Sequence, residues 1–234
     1  MARKTKEGAE ETRTAILEAA LALFSTRGVA RTSLSDVAQQ AGVTRGAIYW
    51  HFANKDDLLH TLREETFQPY EKIAEAGERE DEPDPLGRLH KVLVAILTDL
   101  SENRRTRQLF QMGLDRGTLG NADRNEPGQE QQCRRQGLER FEGIMRNAIR
   151  KGQLSPHFDT RLGAIAFLSF LDGLAMNWLL VPDLCSSKRD ARQLADAFFF
   201  MLQSGDNPWF SGRRPRGKGP EGQRDREVTA KSHR

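Results

Sequence analysis

The stretch Gly42-Val-Thr-Arg-Gly-Ala-Ile-Tyr-Trp-His-Phe52 decides the fold of the N-terminal part of the chain. Thr44 is a good N-cap, and a helix from Arg45 to His51 would bury Ile48 while Arg45, Tyr49 and His51 point elsewhere. Gly42 suits the left-handed turn that ends a preceding helix. The spacing therefore predicts a short, one-sided helix that follows a glycine turn.

A second short helix is predicted before this turn. Ser33 and Asp36 have the spacing of a capping box, with Asp in place of Glu, and one apolar face follows from Leu34, Val37, Ala38 and Ala41. A helix-turn-helix needs such a pair of short helices, with outward polar groups that reach the major groove. Residues 33–52 meet this demand. A generic helix pair shows the same pattern, so the spacing alone leaves both interpretations open.

Helical periodicity continues through the rest of the chain, with no convincing period-two run. Further helices are predicted at 10–27, from Lys55 through Tyr70, and at about 84–101, 104–114, 126–151, 159–181 and 187–204. We therefore predict an all-α protein of about nine helices. It comprises a three-helix head at 1–55, which would bind DNA if its motif at 33–52 is a helix-turn-helix, a larger helical bundle at 56–205, here called the body, and a basic tail at 206–234. No linker precedes the helix that starts at Lys55, so both parts would feel its movement.

The net charge of +3 is segregated along the chain. Residues 1–55 carry 8 Lys and Arg against 5 Asp and Glu, residues 56–210 carry 20 against 25, and residues 211–234 carry 8 against 3. A polyanion would therefore meet the ends of the chain rather than its middle. The tail is predicted to be disordered. It is either a solubilising segment or a basic arm that adds salt-sensitive attraction to DNA.

Several classes of protein are disfavoured by the sequence. Cys133 and Cys185 have neither a CxxC partner nor a nearby histidine pair, so we predict no metal and no cofactor. The N-terminus lacks the apolar core of a secretory signal. Residues 162–181 are long and apolar enough to span a bilayer, but Asp172 and other residues interrupt them, and a buried core or dimer helix has the same composition. We expect a cytoplasmic protein with no membrane span.

Residues 42–52, followed by Asn54 and Lys55, resemble the recognition segment of TetR-family repressors almost residue for residue. The resemblance is closest to multidrug-efflux repressors of the AcrR and TtgR type, through residues 1–6, 11–13 and 81–87, and more weakly through 171–174, 177–179 and 182–183. It implies that Arg45 makes a bidentate contact to guanine and that Gly46 and Ala47 let the helix approach the groove closely. The remaining DNA-binding residues that it implies are Ser33, Thr44, Tyr49, Trp50, His51 and Lys55, mostly as phosphate contacts.

Each of these assignments has a structural alternative. Tyr49 and Trp50 would pack inside the head, and His51 would simply end its helix. Arg45 would be an ordinary solvated side chain.

The resemblance also implies that the body encloses an apolar cavity for hydrophobic small molecules. The predicted lining is Thr66, Phe67, Tyr70, Leu89, Val92, Leu93, Ile96, Phe110, Leu114, Phe141, Met145, Leu168, Leu171, Asp172 and Met176, although any apolar member is equally compatible with plain core. Asp172 lies in an apolar segment, so it should meet a cation, hydrogen-bond donors or a ligand. Phe110, Leu114 and Met176 depart from the polar or cationic groups of relatives, so ligand identity does not carry over.

A homodimer is the expected assembly. The predicted dimer face, at i, i+4 spacing on the last two helices, is Leu162, Ala166, Gly173, Leu194, Phe198 and Leu202. Two-fold symmetry would present the two recognition helices to successive major grooves, about 34–36 Å apart, on a roughly palindromic operator.

The predicted function is a ligand-responsive transcriptional repressor of a multidrug efflux operon, released from double-stranded operator DNA by a hydrophobic inducer. The alternative is a carrier of hydrophobic ligands with a degenerate head and no sequence-specific DNA affinity. An enzyme is disfavoured, because Cys133, His90 and Asp172 lie on distant segments and no catalytic motif surrounds them.

Overall fold

The computed structural model describes residues 2–118, 129–181 and 188–204, and the regular elements in those ranges are helices. The described residues form nine helices: α1 (Ala2–Arg27), α2 (Leu34–Ala41), α3 (Arg45–His51), α4 (Lys55–Glu78), α5 (Pro85–Glu102), α6 (Arg104–Thr118), α7 (Gln129–Arg150), α8 (Thr160–Leu180) and α9 (Lys188–Gln203). The prediction of an all-α protein is confirmed. The predicted tail at 206–234 lies outside the described residues.

Helix α1 is longer than the sequence analysis predicts. It begins at Ala2 rather than near residue 10. The prediction followed the apolar periodicity, which starts only at Ile16. Residues 2–9 have no such periodicity, but they are rich in Ala, Arg, Lys and Glu, which have high helix propensity, and they contain no proline.

The start of α2 is fixed by a complete capping box. The Asp36 amide donates to the Ser33 hydroxyl oxygen at 3.2 Å, and the Ser33 amide donates to Asp36 Oδ2 at 2.8 Å. The Ser33 hydroxyl also donates to Asp36 Oδ2. These hydrogen bonds hold the pKa of the Asp36 carboxyl below its usual range. Asp therefore completes the motif in the place of the usual Glu.

The turn between α2 and α3 depends on Gly42. Its φ of 67° lies in the left-handed region, where a Cβ is costly. The amides of Gly42 and Val43 donate to the carbonyls of Gln39 and Ala38, which closes the end of α2 in a Schellman motif. The Thr44 hydroxyl then accepts from the Ala47 amide at 3.2 Å and starts α3. The predicted glycine turn and both predicted caps are confirmed.

The head is built around one hydrophobic cluster that includes residues from beyond the predicted boundary at residue 55. α1, α2 and α3 contribute Phe24, Val37 and Ile48 among others. The residues that the cluster draws from α4 and α6 are Leu58, Leu59, Leu62, Leu109 and Met112. The body is therefore not a separate unit joined at one point, because α4 continues out of the head and α6 packs back against α1.

The core of the body is a larger cluster formed by α4, α5, α7, α8 and α9. Helix α8 buries one face in it through Phe167, Leu171, Ala175 and Trp178. Among the described helices α8 alone is long and apolar enough to cross a membrane, a test that the core helix of a soluble protein also passes. Its buried face fits the predicted core role.

Replacement of Gly42 by Ala should destabilise the head. A side chain at a φ of 67° costs about 1–2 kcal/mol, so the free energy of unfolding should fall by about that amount. Gly137→Ala is the matched control, because Gly137 lies inside α7 and a Cβ there would contact no other side chain or helix of the described residues. It should raise stability by up to about 1 kcal/mol. Equal effects of the two substitutions in urea unfolding would contradict this account of the turn.

Candidate nucleic-acid interface and ligand region

Helix α3 presents an exposed face of polar and aromatic side chains. Ile48 is its one fully buried residue and anchors it to the head core. Arg45 and Gly46 are exposed, Tyr49 is 48% exposed and Trp50 is 76% exposed. The alternative in which Tyr49 and Trp50 pack inside the head is therefore not the arrangement in the structure. The polar and aromatic side chains on this face are therefore available to contact another molecule.

Arg45 and Tyr49 lie one turn apart and contact each other. Arg45 Nη2 donates to the Tyr49 hydroxyl oxygen at 3.0 Å, and the guanidinium carbon lies 5.5 Å from the centroid of the Tyr49 ring. The contact limits the conformations of a long side chain. In the free protein the guanidinium is therefore held on the exposed face of α3 rather than against the head.

Gly46 and Ala47 leave the N-terminal end of α3 without bulky side chains. Among the residues that the structure describes, a Cβ at Gly46 would meet only Thr44 Oγ1, at 3.8 Å, which is an ordinary contact. The fold of the head therefore does not require glycine at this position. Its small size remains available for close approach to another molecule.

Two of the predicted phosphate contacts are engaged in capping. Both the amide and the hydroxyl of Ser33 donate to Asp36 Oδ2, so neither donor points to solvent as the prediction requires. Thr44 differs, because its hydroxyl accepts from Ala47 and retains a proton to donate. Thr44 is exposed at the start of α3, next to Arg45.

Lys55 ties the start of α4 to the loop that follows α1. Its ammonium donates to the carbonyls of Val29 at 2.8 Å and Thr32 at 3.2 Å. The sequence analysis predicts a phosphate contact here and misses this structural role, because partners 23 and 26 residues away leave no local signal. His51, at the end of α3, is half-buried with its ring edge-on to Trp50.

Most of the predicted cavity residues belong to the core of the body. The buried members are Thr66, Tyr70, Leu89, Val92, Leu93, Ile96, Phe141, Met145 and Leu171. Phe67, Phe110 and Leu168 are partly buried and pack against the cluster. The rings of Phe67 and Phe110 meet edge to face at 5.7 Å. The side chain of Leu114 lies outside the side chains that the structure describes.

Two polar side chains are buried within this region. The Tyr70 hydroxyl donates to the carboxylate of Asp99, and the Thr66 hydroxyl donates to the Leu62 carbonyl at 2.9 Å. Burial, followed by the hydrogen bond to Asp99, raises the pKa of Tyr70 well above its usual value. The phenol therefore remains protonated throughout the physiological range and keeps Asp99 occupied.

Asp172 forms an ion pair with Arg134. Arg134 Nη1 lies 2.5 Å from Asp172 Oδ2, and about a third of the Asp172 side chain is exposed. The sequence analysis expects a cation, hydrogen-bond donors or a ligand beside this carboxylate, and the structure places a cation there. Met176 does not join Asp172 in the cavity as predicted, because it is exposed on the same stripe of α8 as Gly173. Because α8 is apolar on all sides, the sequence does not show which of its residues face the core and which face solvent.

Within the described ranges, no group of three His, Cys, Asp or Glu side chains is placed to hold a metal ion. Cys133 is exposed on α7. Cys185 lies outside the described residues. Two candidate regions therefore remain. One is helix α3 with its caps Thr44 and Phe52, and the other is the hydrophobic cluster in the core of the body.

Comparison with protein families matches both parts of this architecture. Residues 16–62 match the model of the bacterial regulatory proteins of the tetR family, and residues 84–204 match the C-terminal region of the MAATS-type transcriptional repressors. The chain belongs to the TetR family. The resemblance that the recognition segment predicts is confirmed.

Curated TetR-family relatives are similar over nearly their whole length. The HTH-type transcriptional regulator TtgR of Pseudomonas putida is 41% identical over 206 residues, which cover 87% of this chain and 97% of the relative. AcrR of Shigella flexneri is 35% identical, with 82% and 89% covered.

A solved TetR-family structure shares the fold. SmeT, the repressor of the Stenotrophomonas maltophilia multidrug efflux pump SmeDEF, superposes with a TM-score of 0.68 at 30% identity and covers 88% of this chain and 98% of its own. A second SmeT structure is a complex with triclosan and gives a TM-score of 0.71.

This TetR-family chain also presents an exposed apolar stripe on α8 and α9. On α8 it comprises Leu162, Ile165, Gly173, Met176 and Leu180, and on α9 Phe200 and Met201. Between the helices lies a shallow groove of about 550 Å³, lined by Ala166, Ser169, Phe170, Phe198, Met201, Leu202 and Ser204. Exposed apolar side chains on two neighbouring helices favour association with another protein surface.

The structure corrects part of the predicted dimer face. Leu162 and Gly173 are exposed, and Ala166 and Leu194 are partly exposed. Phe198 and Leu202 are buried in their own subunit and reach only the wall of the groove. Phe200, 74% exposed, is missing from the prediction. Residues 198–202 are all apolar, so their spacing does not show which side chains point outward. The run of five is nevertheless a signal, because one face of a helix cannot bury five consecutive residues.

Replacement of Lys55 by Met should lower the stability of the head. The change keeps most of the side-chain length but leaves two part-buried carbonyls without their donor, which costs about 1–3 kcal/mol. Lys72→Met on the exposed side of the same helix is the control and should be nearly neutral. An unchanged urea midpoint for Lys55→Met would show that the two hydrogen bonds of the ammonium do not stabilise the head.

Proposed function

We propose that this protein represses a multidrug efflux operon as a dimer and leaves its operator when a hydrophobic small molecule binds the body. The observation that carries the proposal is the exposed face of α3, where Arg45, Tyr49 and Trp50 point to solvent while Ile48 alone anchors the helix. A carrier of hydrophobic ligands would not need an exposed helix of this composition. The named efflux repressors among the relatives support the same function. Repression of a chromosomal operon would place the protein in the cytoplasm.

Arg45 is the proposed reader of base identity. A guanidinium donates two parallel hydrogen bonds to O6 and N7 of guanine, and this contact discriminates against other bases by about 1–3 kcal/mol. The Tyr49 contact holds the guanidinium on the outer face of α3 before DNA arrives. Gly46 and Ala47 would let the N-terminal end of α3 enter the groove, since neither carries bulk there.

Backbone contacts would set the position of the helix on DNA. Thr44, Tyr49, Trp50 and His51 surround Arg45 on α3 or at its ends, with hydroxyls, an indole and an imidazole that suit phosphate oxygens and sugars. The Lys55 ammonium already donates two of its three hydrogens to backbone carbonyls, so it would add at most one direct hydrogen bond to a phosphate. Ser33 would act through the cap of α2 rather than by touching DNA.

The inducer would be apolar, with few polar groups. Phe67, Phe110 and Met145 belong to an apolar region in which aromatic stacking and a flexible thioether suit flat hydrophobic molecules. Triclosan, bound in one SmeT structure, is such a molecule. The Asp172–Arg134 pair would either accept a hydrogen bond from the ligand or remain as its polar boundary.

The exposed stripe of α8 and α9 is the proposed dimer interface. It is apolar and contains the small residue Gly173, and the groove beside it, which Ala166 helps to line, could receive a side chain from a second copy. A two-fold axis through this face makes the interface isologous. The two α3 helices would then lie on the same side of the dimer, as a palindromic operator requires.

The proposed regulation is a shift between two states of the dimer. The ligand must prefer the state whose recognition helices no longer match the groove spacing. A coupling of about 1–3 kcal/mol weakens operator binding by about 5- to 150-fold.

A fluorescence anisotropy titration tests the whole proposal. The DNA just upstream of the protein's own gene is the specific target, with unrelated DNA as competitor and triclosan added afterwards. Specific binding that triclosan or another hydrophobic drug reverses is the expected result. Specific binding that no drug reverses would overturn the inducer, and indifference to sequence at its own and other promoters would favour the carrier.

In the same titration, Arg45→Ala should weaken specific binding by about 5- to 150-fold for each half-site and relax base discrimination, because each subunit of the dimer loses one bidentate guanine contact. Arg150→Ala, at the end of α7 in the body, removes the same charge and should change affinity by less than about 3-fold. If both variants bound the operator alike, Arg45 would not read a base.

Phe200→Glu should dissociate the dimer. The side chain is exposed in the subunit, so the change spares the monomer core but places a charge in the proposed interface. Light scattering should show a fall from twice 26.5 kDa to 26.5 kDa at micromolar concentration. Gln136→Glu, exposed on α7, is the control and should remain dimeric. A dimeric Phe200→Glu variant would place the interface elsewhere.

A further inference from the structure

We propose that Glu65 is the positioning residue that couples the ligand region to the recognition helix, through Arg105 on α6 and Arg13 on α1. The inference rests on the proposed function and names the contact that carries its regulation. Glu65 lies on α4, where the helix leaves the head. None of these three residues belongs to the DNA-contacting or cavity-lining sets.

The carboxylate of Glu65 joins three helices. Its Oε1 lies 2.5 Å from Arg13 Nη1, and its Oε2 lies 3.1 Å from Arg105 Nη2. All three side chains are about one third exposed. A carboxylate shared by two guanidinium groups fixes the distance between α1 and α6, because each oxygen serves a different helix.

On the ligand side, the bridge continues into the body. Arg105 Nε donates to the hydroxyl of Thr66 at 3.1 Å, and Thr66 is buried next to Phe67 on α4. Phe67 contacts Phe110, which lies on α6 as Arg105 does. A ligand that separates Phe67 from Phe110 would therefore move Arg105 relative to Glu65.

On the DNA side, the bridge reaches the end of the recognition helix. The Arg13 guanidinium lies over the ring of Phe52, 5.8 Å from its centroid. The Phe52 amide donates to the Ile48 carbonyl at 2.8 Å and ends α3. Phe52 is buried, so a displacement of α1 would be transmitted to α3 by close packing.

Helix α6 is placed to move both ends of this bridge. Leu109 and Met112 belong to the head cluster, whereas Phe110 packs against the body cluster. Gln108 Nε2 donates to the Ser25 hydroxyl at 2.9 Å and adds a second polar contact to α1. In the DNA-competent state Glu65 holds α6 against α1. In the released state the bridge is broken.

The test uses the full-length dimer with Glu65→Gln, which keeps the shape of the side chain and removes its charge. Operator affinity without ligand should fall by roughly 2- to 30-fold, because the population shifts toward the released state. Affinity for triclosan, measured without DNA, should rise in the same variant, since the ligand prefers that state. Loss of a negative charge alone would strengthen DNA binding, so the expected change has the opposite sign.

Glu78→Gln is the matched control. Glu78 lies on the same helix, and its carboxylate pairs with Arg140 on α7 at 3.4 Å, within the body. The control should change neither affinity by more than about 2-fold. A double-mutant cycle completes the test: Arg105→Gln should weaken operator binding less in Glu65→Gln than in the wild type, because the Glu65 contact is already lost there and only the Thr66 contact remains to be removed.

Three results would overturn the inference: unchanged operator affinity in Glu65→Gln, reduced operator affinity with unchanged triclosan affinity, or additive effects of the two substitutions. The second result would mark a damaged head rather than a shifted equilibrium. If triclosan does not bind the wild type, the cycle on operator binding decides alone. A wild-type protein without operator affinity would overturn the proposed function itself, and this inference with it.

Discussion

The sharing of α6 between two hydrophobic cores is the constraint on which the rest of the structure depends. Leu109 and Met112 lie in the head cluster, and Phe110, between them in sequence, packs against the body. A helix in this position cannot shift without changing the packing of both cores, because protein interiors are close-packed. A change in the packing of the body would therefore alter the packing of the head.

The head uses few residues to hold α3 and leaves the rest of it free. Ile48 provides the apolar anchor, Thr44 starts the helix and Phe52 ends it. Seven residues are too few for a stable isolated helix, so α3 exists because its neighbours support it. Because α3 depends on its neighbours, we expect a shift of α1 or of the turn at Gly42 to change its orientation.

The sequence predicts best those features whose causes are local. The capping box at Ser33, the left-handed Gly42, the Thr44 cap and the helical periodicity are set by residues within four positions of one another, and each is present in the structure. The family resemblance follows from the same local string. The early start of α1 was missed because it depends on propensity rather than on apolar spacing.

Features that depend on tertiary packing could not be predicted from the sequence. Lys55 bonds carbonyls in a loop that is distant in the chain, and Glu65 meets Arg105 only because α6 folds back on α4. The exposure of Met176 and the burial of Phe198 within its own subunit could not be predicted, because α8 and α9 are apolar on more than one side.

The most direct test of the account is hydrogen exchange of the full-length protein with and without operator duplex. The account predicts slower exchange in α1 and α3, and also in α6 and around Thr66 on α4, whereas slowing confined to α1–α3 would contradict it.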